Sequence, residues 1–322
     1  MTISPDQAAR FRDTFELMVA NIGQAVLGKE HVVRLALTCL LTGGHLLLED
    51  YPGTGKTSLA RALARTVQGS HSRIQFTPDL LPTDVTGVQV YDQASRRFEF
   101  MRGPIFHSIV LADEINRASP KTQSALLEVM DEGRVTVDGI SYDVGRPFMV
   151  IATQNPVEQA GTYPLPEAQL DRFLMKTSLD YPDHDAMVEL LRTAAVRDRA
   201  AEVQPKVSAE ILVPLGRLAD AVTVRTETLS YVSRLTEATR RHKHTKLGVS
   251  ARGALAYVRC AKTWAIAHGR TFVTPDDIRA LAYPVLSHRI QVNAEAQFDG
   301  VTVEQVVNEV FTEIAAPLER VA

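Results

Sequence analysis

Apolar positions along the chain follow two alternating rhythms. Phe11, Phe15, Met18, Val19 and Ile22 fall at helical spacing, which predicts an amphipathic helix over 11–25. A second helix is predicted over 30–41, stopped by Gly43 and Gly44. His45-Leu46-Leu47-Leu48-Glu49 is a short continuous apolar run, the pattern of a strand covered on both faces. A glycine-rich loop and a helix over 57–67 follow. Between Val85 and Met101, Val88 and Val90 alternate against Phe98 and Phe100 around a turn at 92–97, which predicts a hairpin. Residues 108–112, 148–153 and 174–178 read as further strands. Ser119-Pro120 pairs a cap residue with proline at the first helical position, so a helix should start there and run to about Glu132. Residues 134–144 read as a second hairpin turning at Asp138-Gly139.

The rhythm changes at Tyr181-Pro182. Beyond it only helical patterns are evident, over 186–192, 209–222, 228–241, 250–267 and 275–282. Strands alternating with helices, then helices alone, predict an α/β domain over 1–181 and an α-helical domain over 182–322. A length of 322 residues suits two domains.

Composition narrows the class. The chain is 45 % hydrophobic and 23 % charged, as in ordinary globular proteins. A net charge of −3 argues against a polyanion-binding chain. No apolar run approaches the length of a membrane span, and the first residues carry no apolar signal core, so a cytoplasmic protein is expected. Any membrane contact would be made through a partner. Cys39 and Cys260 sit in apolar helical runs and are expected to be core thiols, as Trp264 is expected to be core.

The candidate chemistry lies where strands end. Glu49-Asp50-Tyr51-Pro52-Gly53-Thr54-Gly55-Lys56-Thr57 joins a strand to a helix, the context a phosphate-binding P-loop requires. Gly53 and Gly55 allow a tight turn whose N–H groups, with that of Thr54, face phosphate oxygens. The helix start adds a positive dipole end. Lys56 supplies charge to the β and γ phosphates, and Thr57 a hydroxyl for Mg²⁺. Asp50 stands where the strict motif has its first glycine. Downstream, Ile109-Val110-Leu111-Ala112-Asp113-Glu114 is a buried strand ending in two carboxylates. Ligands of α/β sheets bind at the carboxyl ends of strands. Asp113 would hold Mg²⁺ directly or through water, and Glu114 would polarise the attacking water.

These residues bring a family into view. The stretches LLLEDYPGTGKTSLA, LADEINRASPKTQSALLEVMDEGRVTVDG, ATQNPVEQAGTYPLPEAQLDRF and VLSHRI resemble the AAA+ ATPases, and among them the MoxR family, over nearly the whole chain. An acidic residue at position 50 is usual there. The resemblance implies an AAA+ αβα core with a parallel sheet and hairpin inserts, followed by an α-helical lid. It makes Asn155 a sensor of the γ-phosphate or lytic water, Arg172 an arginine finger reaching a neighbouring subunit, and Arg252 a second sensor carried by the lid. It puts Gly28, in Val26-Leu27-Gly28, near the adenine, and aims the two hairpins at a ring pore or a partner. Arg117 is left without a role.

The expected activity is ATP hydrolysis with ATP and Mg²⁺, driving a ring, a hexamer by resemblance, that remodels or matures a client protein. The family implies a client with a von Willebrand factor A domain. Rival outputs are a magnesium-chelatase-like motor subunit and a nucleotide-gated scaffold that hardly hydrolyses ATP. A nucleic-acid motor finds support only in the basic run 240–246, which ends a helix where cations also complement the dipole; nucleic acid is not the expected ligand.

Overall fold

The computed structural model describes residues 3–155, 162–196 and 198–317. Residues 156–161, inside one of the family-like stretches, lie outside the described residues. The first half carries helices α1 (Pro5–Gly23), α2 (Glu30–Leu41), α3 (Lys56–Thr66), α4 (Pro82–Thr86), α5 (Pro120–Glu132) and α6 (Glu167–Leu170). Its strands are β1 (Leu46–Glu49), β2 (His71–Gln75), β3 (Gly87–Asp92), β4 (Arg97–Arg102), β5 (Ile109–Asp113), β6 (Arg134–Val137), β7 (Ile140–Asp143), β8 (Met149–Gln154) and β9 (Met175–Thr177).

Five of these strands form one parallel sheet in the order β2-β5-β8-β1-β9. Because successive side chains on a strand point to opposite faces, each apolar run feeds two cores. Leu46, Leu48, Ile109, Leu111, Met149 and Ile151 join α1–α3 on one face. Leu47, Val110, Ala112, Val150 and Ala152 join Leu126, Leu127 and Met130 of α5 on the other. His45 stitches the second face: its ring is buried, one nitrogen bonds Met130 O (3.0 Å), and Nδ1 accepts the N–H of Val150 (2.9 Å). Burial lowers its pKa to about 4.

Both predicted hairpins form. β3–β4 and β6–β7 are antiparallel ribbons outside the main sheet, stacked on each other through Phe100 and Tyr142, whose ring centroids lie 4.2 Å apart. Phe98, Tyr91 and Met101 stay exposed on the first. Strand β2 was not predicted. As the sheet's edge, with sequence His-Ser-Arg-Ile-Gln, it buries only Ile74 and so lacks an apolar run.

The second half carries α7 (His184–Arg192), α8 (Arg199–Glu202), α9 (Ala209–Asp220), α10 (Thr226–Arg241), α11 (Ala251–Ala267), α12 (Pro275–Ala280), α13 (Ala282–Leu286), α14 (Ala294–Phe298) and α15 (Val303–Glu313). The predicted helix over 275–282 is two helices, broken at Leu281. The expectation of helices alone also needs correcting. A small antiparallel pair, β10 (Thr245–Leu247) with β11 (Gln291–Val292), joins the end of the basic run to the two residues that follow the VLSHRI stretch. Two- and three-residue strands are too short to leave a periodic signal. Cys39, Cys260 and Trp264 are buried in the core shared by α1, α2 and α11.

The VLSHRI stretch latches the second half to the sheet. Arg289 is buried; its Nε donates to Asp171 Oδ1 (2.7 Å) and its Nη atoms to the carbonyls of Phe173 (2.6 Å), Leu174 (3.2 Å) and Val285. Asp171 Oδ2 also accepts from Ser250 Oγ (2.9 Å), just ahead of α11.

Candidate functional site

Register sets the site. Gln75 of β2 is level with Asp113 of β5, and Glu49 of β1 with Gln154 of β8, so their carboxyl ends open together. The loops leaving them enclose a cleft of about 380 Å³ lined by Gly53, Gly55, Lys56, Thr57, Asp113, Glu114 and Asn155. Residues far apart in sequence thus meet in one place.

Gly53 (φ 83°) and Gly55 (φ 99°) hold left-handed conformations. A Cβ at either would meet nothing within 4 Å, so backbone conformation, not crowding, calls for glycine. Position 50 has no such need, because Asp50 is not among the residues with positive φ. Its buried carboxylate accepts the N–H groups of Leu179 (2.5 Å) and Asp180 (2.9 Å). Burial raises its pKa, while those N–H groups and Lys56 pull it down. Lys56 Nζ lies over the carbonyls of Asp50 (3.3 Å) and Tyr51 (3.2 Å). These long contacts to neutral acceptors are weaker than the charge-assisted bond a phosphate oxygen would offer.

Asp113 and Glu114 are held differently. Asp113 Oδ1 accepts from Thr153 Oγ1 (2.6 Å), and Oδ2 from Arg73 Nη2 (2.7 Å) and Nε (3.2 Å). Thr153 Oγ1 in turn accepts the N–H of Glu114 (2.8 Å). Glu114 has a φ of 56°, a left-handed conformation that costs a non-glycine residue roughly 1–3 kcal/mol and is found at functional turns. Its Oε2 accepts from Gln75 Nε2 (3.0 Å) and Arg117 Nη1 (2.9 Å). Arg117 therefore pairs with the very carboxylate expected to polarise water.

Arg73 and Gln75 were missed with their strand. A signal was available: the interval between the helix ending at 67 and the hairpin starting at 85 is too long for an unstructured connection in a compact domain.

A second cavity of about 440 Å³ adjoins the first, sharing Gly53, Gly55 and Ser58 and adding Val26, Leu27, Thr54 and Leu190. Gly28 sits between lining residues Leu27 and Lys29 with φ 70°. A Cβ there would lie 2.8 Å from that of Ala186, so glycine lets α7 close against this loop.

Arg172 and Arg252 are elsewhere. Neither is among the residues lining the cleft. Arg172 donates to Leu127 O (2.6 Å) and pairs with Asp131 Oδ2 (2.9 Å); Arg252 pairs with Asp131 Oδ1. The neighbouring Asp171 pairs with Arg289. The structure thus gathers the two arginines around one carboxylate of α5, apart from Lys56 and Glu114.

A parallel sheet of this order with a glycine loop after its β1 and a carboxylate pair at the end of β5 defines a P-loop nucleotide-binding core. The model of the ATPase family associated with various cellular activities (AAA) matches residues 45–175, and that of the AAA lid domain residues 237–310. YeaC of Bacillus subtilis is 46 % identical over 94 % of this chain and 95 % of its own. Chaperone MoxR1 of Mycobacterium tuberculosis is 38 % identical over 94 % of this chain and 82 % of its own, and protein MoxR of Paracoccus denitrificans 34 % identical over 88 % and 89 %. A solved Cytophaga hutchinsonii protein superposes with a TM-score of 0.91 at 38 % identity, covering 97 % of this chain and 98 % of its own. The chain belongs to the MoxR family of AAA+ ATPases.

Proposed function

We propose that this protein hydrolyses ATP to drive chaperone-like remodelling or maturation of a client protein, as part of a ring of identical subunits. The observation that carries the reading is the convergence of Lys56, Thr57, Asp113 and Glu114 on one cleft at the carboxyl ends of a parallel sheet. The triphosphate takes the cleft under the P-loop, and the nucleoside takes the adjoining cavity beside Gly28. Lys56 and the loop N–H groups neutralise and orient the phosphates. The donor set suits Mg²⁺: Thr57 offers a hydroxyl and Asp113 a carboxylate, the hard oxygens this ion prefers, and they would hold it. When bound, Mg²⁺ supplies charge neutralisation across the phosphates. Glu114 orients the attacking water once released from Gln75 and Arg117, and Asn155 contacts the γ-phosphate or that water.

Arg172 completes the neighbouring subunit's site, and Arg252 is the second sensor carried by the lid, set beside it. What supports this is their common anchor at Asp131, away from their own chain's cleft, and their partial exposure, with side chains 30 % and 54 % accessible. The ring is a hexamer, the client carries a von Willebrand factor A domain, and the work is done in the cytoplasm. Among the described residues no helix is long and apolar enough to cross a membrane. Division of the chain at 181/182 puts the P-loop and both carboxylates in the first domain and Arg252 in the second.

Affinity capture tests the reading. Glu114→Gln, with Mg-ATP, should bind ATP without cleaving it and enrich a von Willebrand factor A-domain protein from native extract, while Lys56→Ala should not. Equal recovery with both variants would refute nucleotide-gated remodelling and favour a scaffold.

A further inference from the structure

Asp50 departs from the strict P-loop pattern, and the chemistry above makes no use of it. Its surroundings do. The carboxylate is buried at the first position of the loop, and both its oxygens are spent on consecutive backbone N–H groups, those of Leu179 and Asp180. These lie just past the last strand of the sheet, where the chain leaves for α7. Asp180 has a left-handed φ of 54°, so the chain reverses sharply there. A second link runs alongside: the rings of Tyr51 and Tyr181 stack with centroids 6.1 Å apart and planes 9° from parallel. Lys29 Nζ donates to Tyr181 O (2.7 Å), which brings the loop before α2 into the same network. Pro182 and Leu190, on either side of the α7 start, line the cavity adjoining the phosphate cleft.

We propose that Asp50 is a positioning residue that fixes the wall of the nucleoside cavity to the loop that holds the phosphates, so that the two halves of the nucleotide site act as one unit. The inference rests on the nucleotide reading above. A carboxylate suits the task where glycine would not. It offers two acceptors to two adjacent N–H groups, and bonds to an ionised acceptor are stronger than neutral ones. The same connection gives nucleotide occupancy a path outward. Phosphate draws Lys56 off the carbonyls of Asp50 and Tyr51, and a shift of those residues reaches the turn at Asp180 and the base of α7. ATP bound across both cavities benefits from their alignment, whereas a ligand confined to the phosphate cleft does not.

The test compares Mg-ATP with inorganic tripolyphosphate, measured by calorimetry on the full chain. Asp50→Gly restores the strict P-loop pattern and removes the tether. Asp50→Asn keeps the shape, retains one acceptor and turns an NH₂ toward the other N–H, which serves if the glycine variant folds poorly. For both, the ATP Kd should weaken more than the tripolyphosphate Kd, so that the ratio of the two rises about tenfold over wild type. ATP Kd should rise about tenfold for Asp50→Asn, the order expected for losing one bond to a charged acceptor, and at least as much for Asp50→Gly, which loses both. Equal weakening of both ligands would overturn the proposal by showing that Asp50 serves the phosphate loop alone; no weakening of either would overturn it by showing that the tether carries no coupling. A wild-type chain that binds neither ligand would refute the nucleotide reading itself, an outcome distinct from both.

Discussion

His45 should make the protein acid-sensitive in a defined window. Its imidazole is buried, bonds Met130 O, and accepts the N–H of Val150 on Nδ1, so the folded state requires the neutral ring. Burial holds its pKa at about 4, against 6.5 when unfolded. Between those values the unfolded chain binds a proton that the folded chain refuses, so stability is complete above pH 6.5 and falls as pH drops toward 4. The shift of about 2.5 units corresponds to about 3 kcal/mol at the limit, and about 2 kcal/mol is already gone at pH 5. Other groups add to the acid slope; His288, also buried, has its pKa lowered by burial and by Arg289. A difference measurement isolates His45. Urea unfolding of wild type and His45→Asn at steps from pH 7 to 4.5 should show the variant less stable at neutral pH, because asparagine cannot span both partners. It should then lose about 2 kcal/mol less than wild type on going to pH 5. Parallel stability curves for the two proteins would refute the assignment of a neutral, doubly bonded ring.

The arginines separate interface from latch. Arg172→Ala should keep ATP binding and lose turnover by about 10³-fold or more, as removal of an arginine finger does; normal turnover, measured as phosphate release at a concentration where rings form, would sink the shared site. Arg289→Met should cost about 3–5 kcal/mol in urea unfolding, because it leaves Asp171 without its buried cation and strips donors from the carbonyls of Phe173 and Leu174. A loss under about 1 kcal/mol would mean that the latch is not what holds the second half to the sheet.

Much of the architecture was legible because burial writes itself into short runs. Strands β1, β5 and β8 are covered on both faces and had to be continuously apolar, so they stood out, as did the capped helix beginning at Pro120. The glycines of the P-loop were legible for a local reason too: each adopts a φ that other residues avoid. The edge strand β2 was invisible because an edge needs only one covered residue, and Arg73 and Gln75 disappeared with it.

By itself, then, the amino-acid sequence determined the class of fold, the P-loop, and the carboxylate pair, since these depend on periodicity and on residue types adjacent in the chain. Only the tertiary structure decided what the remaining charges face. That Asp50 grips the amides of Leu179 and Asp180, that Glu114 is held by Gln75 and Arg117, and that Arg172 and Arg252 share Asp131 are all long-range or side-chain choices. A charged side chain carries no periodic mark of its partner; the partner is chosen when the sheet and helices pack and bring distant residues within hydrogen-bonding reach.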